Sequence, residues 1–394
     1  MRRQKVRSVV LALSVSLTQY PLAAQAVDLA STDASVAAPA SGTIATADGG
    51  SMNVSQGQLL TPKQAVALTQ FLAGGQTIVV GANGAATGGS VVLNQINTTG
   101  NLVIPAGVTA IQDFGAASTL NVSNFTNSGN FYAVSSNQSV SVANILSSNI
   151  TNNANALITT VLPSGGLLGF SNLVSNLGLN LTATNAIFNA GTISSAGALS
   201  ASAANITNLG VMQAASSINL QALSLVNAGN ISAQANLSVI ASTIANTGTL
   251  QAIMGDLHIT DLTNNSLSID NRGGLLSAGH DLIMEIVGSA ALKPELNIIG
   301  GVLSAGNLTK FDANDGHLRI NVQDMGGNIS LAAGTLAMKV DAGTSPFNVV
   351  SAQISGDPDI DLTVPSYTSA GEATMGGHIN ITTTVGNITI GNID

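Results

Sequence analysis

The tripeptide Asn189-Ala190-Gly191 returns as Asn208-Leu209-Gly210, Asn227-Ala228-Gly229 and Asn246-Thr247-Gly248, each time after 19 residues. Two residues beyond each glycine stands an apolar side chain, Ile193, Met212, Ile231 or Leu250. Two residues before each asparagine stands another, Ile187, Ile206, Leu225 or Ile244. The columns Leu199/Ile218/Leu237 and Ala201/Leu220/Val239 keep the same step and resume one residue late at Leu257 and Ile259. A fixed period near 20 residues points to a solenoid, because no single repeat can bury its apolar face and stacked neighbours must supply the core. Within each repeat the apolar residues alternate, which is the period of a strand. The repeat is therefore read as one coil, about 19–20 residues long, of a parallel β-helix in an all-β chain. Gly191, Gly210, Gly229 and Gly248 are expected to adopt a turn conformation that a side chain resists. Asn189, Asn208, Asn227 and Asn246 are expected to stack at the adjoining corner as amides hydrogen-bonded from coil to coil.

Coils stacked about 4.8 Å apart would set like charges directly above one another. The sequence avoids this: from Phe114 to Gly255 there is no Asp, Glu, Lys, Arg or His. A disordered low-complexity chain is the alternative for such a composition, but disordered chains are poor in Ile, Leu and Val, which here recur on a strict pattern. Weaker copies extend the array at Phe125-Thr126-Asn127 through Phe131, at Ile150 through Ala154, and at Ile269-Asp270-Asn271-Arg272-Gly273, the last after a step of 25. Residues 163–170 read as a loop inserted at a corner, and residues 344–375, which hold Pro346, Pro358 and Pro365, as a larger one.

The chain opens with Arg2, Arg3, Lys5 and Arg7, an apolar run from Val9 to Leu17, Pro21, and Ala24-Gln25-Ala26. That is the pattern of a secretory signal peptide, residues 1–26, cleaved after Ala26. The run is about half the length that a bilayer-spanning anchor needs. Residues 27–58, rich in Ser, Ala, Thr and Gly, read as a flexible linker. Residues 59–76 read as a short helix, with Thr61 as N-cap, Pro62 in the first turn, apolar Ala65, Leu68, Phe71 and Leu72, and Gly74-Gly75 as the stop. Its expected role is to cap the first coil, with recognition during secretion as the alternative. The β-helix then runs from 77 to 394, and its last residues, Ile388 to Asp394, resemble the start of another coil. A longer parent protein, or a covered last coil, would account for that.

The segments "NAGTI", "NAGNI", "NTGTL" and "IDNRGGLLSAGHDL" resemble the repeats of filamentous haemagglutinin-type adhesins, the exported partner in two-partner secretion. The resemblance spans roughly residues 77 to 394 and is strongest from 187 to 285. It implies a right-handed β-helix, passed through an outer-membrane secretion partner to the surface of a Gram-negative cell, where it mediates adhesion. The NPNG and NPNL motifs of that family's secretion domain do not occur in this sequence, and Gly81-Ala82-Asn83-Gly84 is a faint echo of them.

Once the leader is set aside, six Lys and Arg face nineteen Asp and Glu, a net charge of −13, which excludes nucleic acid as a partner. There is no cysteine, so no disulfide supports the fold in an oxidising compartment. β-Helices also include polysaccharide lyases and hydrolases, which place acids and bases on one outer face. Here such chemistry is confined to the last third. Asp256, His258 and Asp261 lie close in sequence, with His258 expected to face solvent. Asp357, Asp359 and Asp361 alternate as on one face of a strand, where calcium is conceivable and a solvated face is favoured. Asp312, Asn314, Asp315 and Gly316 resemble the start of a calcium loop, but Gln323 stands where a Glu is needed. Asn121, Asn180, Asn205, Asn230, Asn236 and Asn387 begin Asn-x-Ser/Thr triplets, which follow equally from a turn Asn, an inward aliphatic and an outward hydroxyl. The expectation is an exported, non-enzymatic surface protein with no cofactor and no metal, no transmembrane segment in the mature chain, and cell-surface glycans, cell-surface proteins or itself as partner. A carbohydrate-active enzyme and a self-associating matrix protein are the alternatives.

Overall fold

The computed structural model describes residues 100–390 apart from 108, 116–117, 165, 168–169, 171, 264–265, 288–292, 357 and 370–377; before residue 100 it describes the backbone of six strands. The described residues form a β-solenoid of about 12 turns and contain no helix. The helix expected at 59–76 lies outside them, except for the strand Leu59–Leu60. Each regular coil gives strands to two faces of a 25-stranded sheet and one strand to an 11-stranded sheet. Coil-to-coil pairing is parallel throughout the array.

The register follows the apolar columns. Ile193 pairs with Met212, Met212 with Ile231 and Ile231 with Leu250, and all four are fully buried. Ile187, Ile206, Leu225 and Ile244 pair in the same way on the adjoining face and are also buried. Both columns continue beyond the regular repeats, the first down to Phe131 and up to Met325, the second down to Phe125 and up to Ile320. Phe125 and Phe131 meet edge to face with ring centroids 5.1 Å apart. This is one continuous core, in which each coil is sealed only by the coil above and the coil below.

The turn glycines are required for a different reason from the one the sequence suggests. Gly191, Gly210, Gly229 and Gly248 do not have positive φ. A side chain at Gly210 would instead collide with the carbonyl oxygen of Gly191, one at Gly229 with that of Gly210, and one at Gly248 with that of Gly229. Stacking brings backbone onto backbone at this corner, and a hydrogen is all that fits.

Two further expectations are corrected. Residues 344–375 are not a single large loop: Phe347–Ile354, Asp359–Val364 and Tyr367–Ser369 pair in parallel as coil strands. The three prolines stand at the ends of these strands, where the chain turns and no ladder N–H is needed. The Pro346 carbonyl accepts from Gly327 N at 2.7 Å, and that of Pro365 from Gly386 N at 2.7 Å. The 11-stranded sheet ends at Asp324–Met325, so among the described residues these coils carry strands on two faces only. At the other expected insertion, the described residues between Leu157–Thr159 and Gly178–Asn189 contain no strand.

The segment 27–58 is not only a linker. Ala34–Ala37 pairs antiparallel with Thr77–Ala82 and with Leu59–Leu60, and Gly42–Ala45 forms a hairpin with Ser51–Val54. Thr77–Ala82 opens the parallel array, and its outer edge would otherwise present unpaired N–H and C=O groups. That unpaired edge recruits a strand from a sequence whose composition alone reads as linker.

Candidate functional surfaces

Seven asparagines, Asn127, Asn152, Asn189, Asn208, Asn227, Asn246 and Asn271, are fully buried. Each Nδ2 from Asn127 to Asn246 donates to the Oδ1 of the asparagine one coil later, at 2.6–2.8 Å. All six bonds run in the same direction. The remaining capacity of these amides goes to backbone: Asn189 Nδ2 also donates to Val211 O, Asn227 Nδ2 to Thr249 O, and Asn127 Oδ1 accepts from Gly129 N. A buried amide is tolerated only when its hydrogen bonds are met. The sequence predicts the ladder; that it is wholly inside the corner is what the structure adds.

Outside, residues 114–255 build a neutral surface. Asn101, Asn124, Asn149 and Asn185 form a second amide ladder on the outer side, with bonds of 2.7–2.8 Å. Asn180 donates to Asn144 Oδ1 at 2.9 Å. These bonds hold outward amides at the spacing of the coils. Aliphatic groups interrupt the polar surface: Leu209 and Leu223 are half exposed and Val226 is 38% exposed. Sequence reading missed them, because they fall at outward positions of a pattern that marks only the inward ones. Tyr132 is the one phenol in this stretch, and burial pushes its pKa up, so it stays protonated at neutral pH. Of the Asn-x-Ser/Thr positions, Asn121, Asn205 and Asn230 are exposed, whereas Asn180 and Asn236 are engaged with neighbouring coils.

The charged groups begin at Asp256, and the structure divides the three residues that sequence proximity groups together. His258 faces outward and its Nε2 lies 2.9 Å from Glu285 Oε1. Glu285 also receives Lys310 Nζ at 3.0 Å, and Lys310 lies 3.3 Å from Asp312. Asp256 sits at the corner with its Oδ1 2.9 Å from His280 Nδ1 and within reach of Asp281 N at 3.0 Å. Asp261 points into the core, only 4% exposed. Its Oδ1 accepts from Val287 N at 3.2 Å, and its Oδ2 has no hydrogen-bond partner. Neighbours along a strand alternate between core and solvent, whereas the register here adds 25 residues, pairing Leu257 with Leu282 and Thr260 with Glu285. That offset, visible in the step from Asn246 to Asn271, is the sequence signal that would have found these partners.

Further along, Asp359 is exposed and Asp361 accepts from Asn380 Nδ2 at 3.1 Å, while Asp357 lies outside the described residues. Asn314 and Asp315 both have positive φ and form a tight turn in which Asp312 Oδ1 accepts from Asn314 N. Asp270 is paired with Arg272, whose hydrogen bond holds the carboxyl below its ordinary value.

Burial pushes the Glu285 carboxyl up, but the hydrogen bonds and charges of Lys310, then His258, outweigh it and hold the carboxyl below its ordinary value. A carboxyl depressed in the folded state stabilises fully above its unfolded pKa, near 4.3, and loses that contribution as pH falls through the lower folded value. Glu285→Gln is therefore expected to lower stability by about 0.5–1 kcal/mol at neutral pH. The gap in melting temperature should close as pH drops below about 4. A gap independent of pH would mean that the ion pair contributes nothing.

No helix among the described residues is long and apolar enough to cross a membrane. Comparison with protein-family models, with curated proteins and with solved structures gives no match.

Proposed function

We propose that the chain is an exported, non-enzymatic, adhesin-like protein that uses the outside of its β-solenoid for repeated weak contacts with cell-surface glycans or proteins. One observation carries this reading. The surface built by residues 114–255 offers hydroxyls, amides and a few aliphatic groups at coil spacing, and holds no Asp, Glu, Lys, Arg or His. General acid–base catalysis needs a titratable group within hydrogen-bonding reach of the substrate, and hydroxyls without a neighbouring base are poor nucleophiles. Many similar weak contacts on one body instead add up through effective concentration. The leader-like first 26 residues and the resemblance of 187–285 to haemagglutinin-type repeats support export by signal peptide and an outer-membrane secretion partner. A right-handed winding is the sense expected of parallel strands joined by crossovers. The outward cluster of His258, Glu285 and Lys310 is the observation that favours the alternative, a carbohydrate-active enzyme.

The purified chain is expected to bind cells or immobilised polysaccharide with modest dependence on salt, and to leave every polysaccharide tested at its original length. Reproducible depolymerisation that is lost in Asp256→Ala or His258→Ala would overturn the adhesin reading in favour of the enzyme. Fibres whose formation scales with protein concentration, without binding to cells, would favour a matrix protein.

A further inference from the structure

At the corner that precedes Leu257–Thr260 and Asp281–Glu285, three potential metal ligands from two successive coils converge. Asp256, His280 and Asp281 each present one ligand atom, and the three atoms lie within 4.8 Å of one another. His280 Nδ1 is 2.9 Å from Asp256 Oδ1 and 3.3 Å from Asp281 Oδ2. One imidazole nitrogen carries at most one proton and can satisfy only one of these carboxylates at a time. No Lys or Arg pairs with either carboxylate among the described ion pairs, whereas Asp270, Glu285, Glu295, Asp312 and Asp341 each have one. Outer hydrogen bonds already aim the ligand oxygens. Asp281 Oδ1 accepts from Asn307 Nδ2 at 2.8 Å and Leu308 N at 3.1 Å, which leaves Oδ2 turned to His280.

We propose that Asp256, His280 Nδ1 and Asp281 bind a zinc-class divalent cation that clamps one coil to the next. Nitrogen and oxygen ligands held at about 2.0–2.2 Å from a tetrahedral ion lie about 3.3–3.6 Å apart. His280 Nδ1 and Asp281 Oδ2 already stand 3.3 Å apart. Asp256 Oδ1, now hydrogen-bonded to the imidazole at 2.9 Å, would have to draw back by about 0.5 Å to admit an ion. An imidazole with two carboxylates suits zinc, cobalt or copper better than calcium, which takes 6–8 oxygens. His280 is 58% exposed, so an ion could enter from solvent and keep a water as its remaining ligand. Asn307 would act from the second sphere by holding Asp281 in place.

The test is titration of the untagged purified chain with Zn2+ alone, followed by calorimetry, and with Co2+ alone, followed by visible absorption. One equivalent is expected to bind saturably and to raise the melting temperature, because the ion binds only the folded arrangement of its ligands. His280→Ala and His280→Gln, both at an exposed corner, are expected to lower the affinity at least tenfold. His317→Ala, which changes an exposed histidine bonded to Thr335 on another coil, should leave it unchanged. Absence of saturable binding to the wild-type chain would overturn the proposal, as would His280 variants that bind like wild type or an equal loss in His317→Ala.

Discussion

Ile231→Asp is expected to lower stability by on the order of 4–5 kcal/mol, because it sets a carboxylate without a partner in a wholly apolar column. Ile231 is fully buried between Met212 and Leu250. Since each coil is covered only by its neighbours, hydrogen exchange should accelerate at least across Val211–Ala214, Asn230–Ala233 and Thr249–Ala252. Ser232→Asp, one residue along and facing outward, serves as the control and should melt close to wild type. If Ile231→Asp melts like Ser232→Asp, that column does not point inward and the arrangement of the coil is wrong.

The buried amide ladder should be nearly as sensitive. In Asn208→Ala, Asn227 Oδ1 loses its donor and Asn189 Nδ2 keeps only Val211 O. Lost hydrogen bonds and the desolvated groups left behind together predict a loss of about 3 kcal/mol. Asn208→Asp should be worse, since a carboxylate can accept from Asn189 but has nothing to donate to Asn227. A denaturation midpoint unchanged in Asn208→Ala would mean that the ladder is ornamental and that packing of the aliphatic columns alone sets the register.

How far the sequence could be read follows from what periodicity records. A period of 19 marks which residues share a column, so the inward columns headed by Ile187 and Ile193 and the coil length were legible. It does not say how deep a column lies. Asparagine is ordinarily a surface residue, and only the stacking of each amide on the next makes Asn208 and its equivalents wholly buried. The turn glycines were correctly located, but their cause was misjudged, because the clash comes from the coil below and not from the local backbone. The prolines of 344–375 suggested a loop, since a breaker inside a strand and a breaker at its end look alike until the strand ends are known. At the candidate sites the outcome was mixed. His258 was rightly placed outward, but its partner Glu285 and the meeting of Asp256 with His280 follow from the 25-residue step between these coils, which shows in the spacing of Asn246 and Asn271 and in no motif around the residues themselves. The strand Ala34–Ala37 forms along the edge of Thr77–Ala82, a demand set by the array and not by the segment itself.

From Asn189 to Asn246 three successive coils keep one length of 19 residues, and every column in them continues without a step. A block of 19 residues is consequently a unit of distance, adding about 4.8 Å of rod. A whole block can be added or removed without breaking a column. The lack of ionised groups makes the blocks interchangeable, since no neighbour in the stack has to be matched for sign. Such a molecule can alter its reach in integer steps while every step presents an uncharged surface, so selection can act on how far it extends separately from the side chains each coil displays.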